Sequence, residues 1–381
     1  MNLQKICIIG DGLAGLSAAV ILSHENIKID LYTGNNFKKL KNDERTTAVS
    51  ESTYQFMKQR FNIQNQNILW PCNEIKLYYE DEKNINNFLN FEEKNKNLMY
   101  IFKNKELKKQ LHKVIKKNRN IKIVKKNIIN IDYTNGSIIL EKKKSYYDLI
   151  ILSIGSKSHL YDDITHRRSI KKNYNETAVT SIVKHNSRIS AVSQFFLKEG
   201  PLAVLPFSKN AFSVVWSVSS IFFKKNNKIF KNILANKIKI LLNDLQIKNI
   251  DNIQSFPINL NLKTKYYKKN VLILGDGLHA VHPMAGQGFN LVLRDIKKLS
   301  DLMSKTLKLG LSLKNSFLLK DFYQARKPEN TILGMGIDLT NIFFKNNKYL
   351  TPIKRKILNN IKRFKFIRKL SQAISDKGFV I

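Results

Sequence analysis

The chain has 381 residues, 43% hydrophobic and 10% aromatic, enough apolar material to bury a sizeable core and to exclude a disordered polymer. Its 66 Lys and Arg against 29 Asp and Glu leave a formal charge of +37, spread along a sequence also rich in Asn and Ile. That charge attracts anionic surfaces, but no nucleic-acid recognition motif accompanies it, so no nucleic acid is expected as a partner.

Residues 1–35 read as one strand–helix–strand unit. An apolar strand over 5–9 runs into the turn Gly10-Asp11-Gly12, and Leu16, Ala19, Val20 and Leu22 then recur at helical spacing. Asn26 suits the left-handed position after a helix, and a second strand follows over 27–32. No signal peptide is expected before so early a strand, and no apolar run approaches the about 18 residues of a membrane span. A polar, lysine-rich loop leads to a helix around 50–60. Residues 72–95 look like a strand excursion with a charged turn, 107–117 like a helix, and 120–152 holds three strand-like runs. Cys7 and Cys72 lack CxxC spacing, which gives neither a metal site nor a disulfide framework and fits a reducing, intracellular setting.

Strand patterns dominate 178–183, 190–197, 202–207 and 212–218, the expected sheet of a second domain, with Phe207 and Trp216 in its core. A helix is predicted over 229–245, a buried strand over 271–274 and a helix over 287–305. The remainder reads as helical and basic. Between 353 and 370, Ile353, Ile357, Ile361, Phe364 and Ile367 form one stripe with Lys and Arg around it, an amphipathic pattern suited either to anionic lipid or to packing on the rest of the protein.

Gly10-x-Gly12-x-x-Gly15 follows a strand and opens a helix, the setting a dinucleotide-binding turn requires. The first glycine permits the turn and the second lets the backbone approach a pyrophosphate. The third allows close packing, and the phosphates meet the positive helix end at Leu13 and Ala14. The carboxylate that grips a ribose normally closes the second strand. Thr33 stands there instead, able to make one weaker hydrogen bond, while Asp30 lies mid-strand.

A second glycine-rich segment follows the strand over 271–274: Gly275-Asp276, His279, His282-Pro283, Gly286-Gln287-Gly288, Asn290 and Arg294-Asp295. Asp276 can accept from a ribityl or ribose hydroxyl, Pro283 fixes a turn, and Gly286 and Gly288 bare the backbone N–H groups. The following helix start favours the negative charge of a reduced flavin.

This string closely resembles that of the class A flavoprotein aromatic hydroxylases, within them the ubiquinone-biosynthesis hydroxylases. Four further stretches are similar in order. They are 43–50 (DERTTAVS, containing Arg45), Tyr100 to Leu107 with Asn104, Gly200–Pro206 with Val215-Trp216, and Tyr323 with Arg326, Asp338, Leu339 and Phe343. The resemblance implies an α/β fold like that of para-hydroxybenzoate hydroxylase: a discontinuous Rossmann-like FAD/NAD(P)-binding domain (1–72, 98–175, 263–350), an inserted mostly-β substrate domain (73–97, 176–262) and basic amphipathic C-terminal helices (351–381). It implies that NAD(P)H reduces FAD, that O2 adds at flavin C4a, and that the resulting hydroperoxide hydroxylates a polyprenylated phenol of ubiquinone biosynthesis. It also implies a cytoplasmic protein peripherally bound to the inner membrane, possessing partners among other ubiquinone-biosynthesis proteins.

The cofactor contacts expected are Gly10, Gly12, Leu13, Ala14, Gly15, Thr33, Arg45, Gly275, Asp276, Pro283, Gly286, Gln287, Gly288 and Asn290; no metal is expected. His282 and Gln287 are the candidates for a direct catalytic part in chemistry that is otherwise flavin-centred, and His279 is expected to pack at the loop. The chain departs from the family after the strand over 149–152, where Ile154-Gly155 replaces Asp-Gly and Tyr161 stands where an arginine is usual, with Ser158 retained. A weakly active or non-catalytic flavoprotein subunit is therefore the competing reading.

Overall fold

The computed structural model describes all residues except 1–2, 35–42, 63–67, 83, 141–142, 157, 167, 315–316, 346–353, 355, 359, 361–375 and 377–381. Most of the amphipathic C-terminal run, and the centre of the loop before Arg45, lie outside the described residues.

Two sheets organise the chain. The first has six strands, in the order Tyr267–Lys268, Val271–Ile273, Leu149–Leu152, Lys5–Ile9, Lys28–Tyr32 and Ile121–Val124, all parallel except the first. Its central strands are apolar on both faces because both are covered: helices pack on the sheet, and Ile131, Ile138 and Leu140 of a small antiparallel sheet join the same core. The helices Leu13–Leu22, Asn104–Lys117 and Gln287–Lys308 pack there. Five short strands occupy 121–152 where three runs are legible in the sequence; three of them form a small separate sheet.

The second sheet runs Asn84–Glu92, Glu74–Asp81, Val192–Leu197, Gly200–Ser208, Ala211–Ser219, Ser169–His185, Gln254–Lys263 and His279–Ala280, with Ile247–Ile250 pairing alongside Ser169–His185. Side chains alternate across it. Phe195, Leu202, Val204, Val214 and Trp216 pack with Phe230 and Leu234 of the helix Phe230–Leu241, whereas Gln194, Phe196, Ala203, Leu205 and Val215 face a cavity. Trp216 is fully buried in this core and Phe207 packs in a smaller cluster, as expected. The strand from Ser169 starts earlier than its apolar pattern indicates. Its first part, Ser169 to Asn173, is polar on the cavity side, so no alternation marks it.

Candidate functional site

The first glycine turn divides its labour. A Cβ on Gly10, at φ +120°, would sit 2.2 Å from the Ser153 carbonyl oxygen, and one on Gly15 would sit 2.0 Å from that of Gly10. These two glycines let strand, loop and helix touch, and neither lines the cavity. A Cβ on Gly12 would meet nothing within 4 Å, leaving the backbone bare. Gly12, Leu13 and Ala14 line the cavity at the start of a helix with no side-chain cap and no acid in its first turn, so its N–H groups face the open space unneutralised.

The ribose contact expected of Thr33 is not what the fold provides. Thr33 is fully buried, its N–H donates to the Val124 carbonyl at 3.0 Å, and its hydroxyl finds no partner among the described residues. The neighbouring parallel strand covers it, so Thr33 does not reach the cavity. Asp30 is also committed inward, accepting from Tyr147 at 2.7 Å and pairing with Lys5 at 2.7 Å.

The Arg45 segment forms one side of the cavity. Its guanidinium grips Asp43 through two hydrogen bonds of 2.7 and 2.8 Å and lies over the Phe256 ring. Burial raises the Asp43 pKa, but the guanidinium bonds outweigh it and hold the carboxyl below its ordinary range; the same bonds raise Arg45. Asn104 secures the segment, donating its N–H to the Arg45 carbonyl and accepting from the Thr47 hydroxyl at 2.6 Å. Sequence motif placed Asn104 near the site but gave it no part.

The second glycine segment rests on the first. Gly275, at φ +77°, has no room for a side chain because a Cβ would press to 2.8 Å from the Ala14 Cβ. Asp276 projects into the cavity, as do Pro283 and Gln287. Gly286, at φ +62°, packs against Ala48, and Gly288 presents an open face. Asn290 differs from expectation. Its side-chain amide donates to the Ala48 and Gly286 carbonyls and accepts from the Ser50 N–H, so it clasps the Arg45 segment to the helix Gln287–Lys308 with its polar atoms spent on backbone.

His282 is likewise engaged. Its Nδ1 accepts from the Met284 N–H at 3.2 Å, which leaves Nε2 as the protonated nitrogen, donating to Glu176 at 3.0 Å. With both nitrogens used and no exposed surface, His282 fixes the Pro283 turn and is not placed to exchange protons with a substrate. Glu176, which the sequence reading did not single out, also pairs with Lys345 at 2.7 Å, and these partners hold its carboxyl below the usual range despite burial. His279 packs as expected, 2.6 Å from the fully buried Asp295, which Arg326 and Asn330 also bind.

After the strand Leu149–Leu152, the Tyr161 hydroxyl accepts from the Ile154 N–H at 3.3 Å and donates to the Gly155 carbonyl at 2.8 Å. Gly155 and Ser156 line the cavity. Tyr161 also fills the space beside Gly277, where a Cβ would meet its oxygen at 2.4 Å. The residue in place of the usual arginine is thus a brace between the two loops.

All these segments surround one cavity of about 1460 Å³. One end is built of bare backbone, at Gly12, Gly155 and Gly288, with a helix start and Asp276. The other is apolar, with Phe88, Phe91, Leu98, Phe196, Phe343 and Leu358; Phe196 stacks on Phe344 with centroids 3.5 Å apart. The polar end fits FAD: open backbone for a pyrophosphate, a carboxylate for a hydroxyl, and glycines beside the helix start for a ring. Among the described residues no group of His, Cys, Asp or Glu is arranged to hold a metal.

Residues 153–312 match the family model described as an FAD binding domain. The mitochondrial ubiquinone biosynthesis monooxygenase COQ6 of Dictyostelium discoideum is 24% identical over 449 residues, an alignment covering 96% of this chain and 90% of that protein. The 3-demethoxyubiquinol 3-hydroxylase of Escherichia coli is 30% identical over 162 residues, covering 42% of this chain and 41% of the relative. In structure, the p-nitrophenol 4-monooxygenase PnpA of Pseudomonas putida superposes with a TM-score of 0.76 at 14% identity, covering 100% of this chain and 99% of PnpA, a likeness of fold. The FAD-shaped cavity, the matching FAD-domain model and a relative aligned along nearly the whole chain converge. The chain is an FAD-dependent monooxygenase, similar to the ubiquinone-biosynthesis hydroxylases among the class A aromatic hydroxylases.

Proposed function

We propose that this enzyme hydroxylates the aromatic ring of a polyprenylated phenol in ubiquinone biosynthesis, with NAD(P)H as electron donor and O2 as co-substrate. The observation that carries this reading is the two-ended cavity, whose flavin end opens directly into an apolar half able to take a ring with a hydrocarbon tail. Relatives along the chain are named for ubiquinone biosynthesis, which supports the same substrate class.

Bound FAD supplies the redox and oxygen chemistry. The protein's share is binding, orientation and dryness. Gly12, Leu13 and Ala14 would hold the pyrophosphate, Asp276 a cofactor hydroxyl, and Gly286 to Gly288 the ring edge. Ala203, Leu205 and Val215 form a flat apolar wall from the sheet, and Phe196 with Phe344 closes the far end, so a ring docked there is shielded from water. Gln287, at the helix start, lines the cavity and serves to shape the ring pocket.

The location follows from the substrate. A cytoplasmic enzyme lying on the inner membrane, alongside other ubiquinone-biosynthesis proteins, would meet a lipid-dissolved phenol directly. Two features support an anionic membrane surface as partner. Ile332, Met335, Leu339 and Ile342 form an exposed apolar stripe on the helix Leu318–Phe344, and residues 345–375 contain Lys and Arg but no acid. No described helix is long and apolar enough to cross a membrane.

The test is anaerobic reduction of the FAD-loaded protein by NADPH or NADH, with and without a prenylphenol, followed by mass spectrometry of product formed under 18O2. Incorporation of one labelled oxygen into the ring supports the proposal. A flavin that neither nucleotide reduces, whatever phenol is present, rejects it in favour of the non-catalytic reading.

A further inference from the structure

One face of the strand pair Ser169–His185 and Gln254–Lys263 has no part in the flavin cradle. Its register sets Ser169 opposite Lys263, Lys171 opposite Asn261 and Asn173 opposite Asn259, which places these six side chains on the same side of the ribbon. Lys171, Asn173, Asn259 and Asn261 line the cavity. Lys263 lies over the ring of Tyr161, whose hydroxyl holds Gly155 at the flavin end. The ladder therefore adjoins the bare backbone of Gly155 and Ser156.

Its chemistry is unbalanced. Neither lysine is in ion-pair contact with an acid among the described residues, and the two repel each other across the diagonal of the ribbon; burial first, and then Lys171, lower the Lys263 pKa, with Asp162 opposing them. The buried Ser169 Oγ and Asn261 Oδ1 have no hydrogen-bond partner among the described residues. Two unpaired cations beside two unsatisfied polar groups suit a ligand that carries both anionic oxygens and hydroxyls.

We propose that this ladder docks the nicotinamide dinucleotide donor, Lys171 and Lys263 taking its pyrophosphate and Ser169 and Asn261 its ribose hydroxyls. This rests on the monooxygenase reading above. It also supplies, from the neighbouring ribbon, the positive charge that is absent at Tyr161.

The experiment is stopped-flow anaerobic reduction of FAD-loaded wild type, K171A, K263A and the double variant, titrated with NADPH and NADH, with dithionite reduction and FAD affinity measured in parallel. Each single change is expected to raise the donor Kd about tenfold, and the double change more, with dithionite reduction and FAD affinity unaltered. A K171R, K263R protein is expected to keep donor affinity within about threefold, since it retains both charges. A folded, FAD-loaded double variant with wild-type donor affinity overturns the assignment. So does a rise confined to the KM for the phenol, which would give the ladder to the aromatic substrate. Wild-type flavin that neither nucleotide reduces overturns the monooxygenase reading itself, an outcome distinct from both.

Discussion

The Tyr161 hydroxyl donates to the Gly155 carbonyl across 2.8 Å and accepts from the Ile154 N–H, so one phenol ring braces the loop that follows the central parallel strand. Burial pushes its pKa well up, so it remains a neutral donor throughout the working range. Tyr161→Phe keeps the ring against Gly277 and removes only the bridge. FAD affinity is expected to fall about fivefold to tenfold, in keeping with about 1 kcal/mol lost at the loop when both hydrogen bonds of the hydroxyl are removed. Isothermal titration of the apoprotein with FAD, beside a melting curve that shifts little, checks this.

Gly10 and Gly12 make different demands. Gly10→Ala drives a methyl into the Ser153 carbonyl at a positive φ, so the apoprotein itself should be destabilised by about 2 kcal/mol or more. Gly12→Ala meets no protein atom, and should leave apoprotein melting unchanged while weakening FAD binding at least about tenfold. Paired thermal melts with and without FAD separate the two effects.

Val215 and Trp216 are adjacent but point to opposite faces of the sheet. Trp216→Ala opens a void among Phe222, Phe230 and the strand core, and is expected to cost about 3–5 kcal/mol of stability. Val215→Phe projects into the cavity and should raise the phenol KM several-fold with little change in melting temperature. Chemical denaturation and steady-state kinetics on the two variants check the alternation.

Asp295 is fully buried between His279 and Arg326. Burial raises its pKa, but the Arg326 charge and the His279 contact outweigh that and leave it below 3.8. A folded-state pKa below the unfolded one contributes stability that is present above about pH 4 and is lost as pH falls through the folded value. Asp295→Asn should therefore flatten the acid limb of the stability curve and, by leaving Arg326 without its buried partner, cost about 3–5 kcal/mol at neutral pH. Urea denaturation between pH 3 and 7 gives both readings.

The two glycine segments were legible in the sequence because their constraints are local. Gly10, Gly15, Gly275 and Gly286 answer to backbone geometry and to close approach, and strand-then-helix periodicity announces where each must lie. The parallel core strands were legible too, since burial on both faces leaves an unbroken apolar run. The ribbon start at Ser169 was not, because it carries lysine and asparagine toward a polar cavity, and no apolar alternation marks it as a strand.

What the sequence alone determined was the family, the cofactor and the segments that meet it. The tertiary structure decided which of those residues have atoms to spare. Thr33 is covered by a neighbouring strand, Asn290 spends its amide on the backbone of Ala48 and Ser50, and His282 spends both nitrogens on Met284 and Glu176. Glu176 lies 106 residues from His282 in sequence, and Asn290 lies 240 from Ser50. Hydrogen-bond capacity is used up by partners that only folding brings within reach, so a motif can place a side chain at a site without revealing whether it is free to act there.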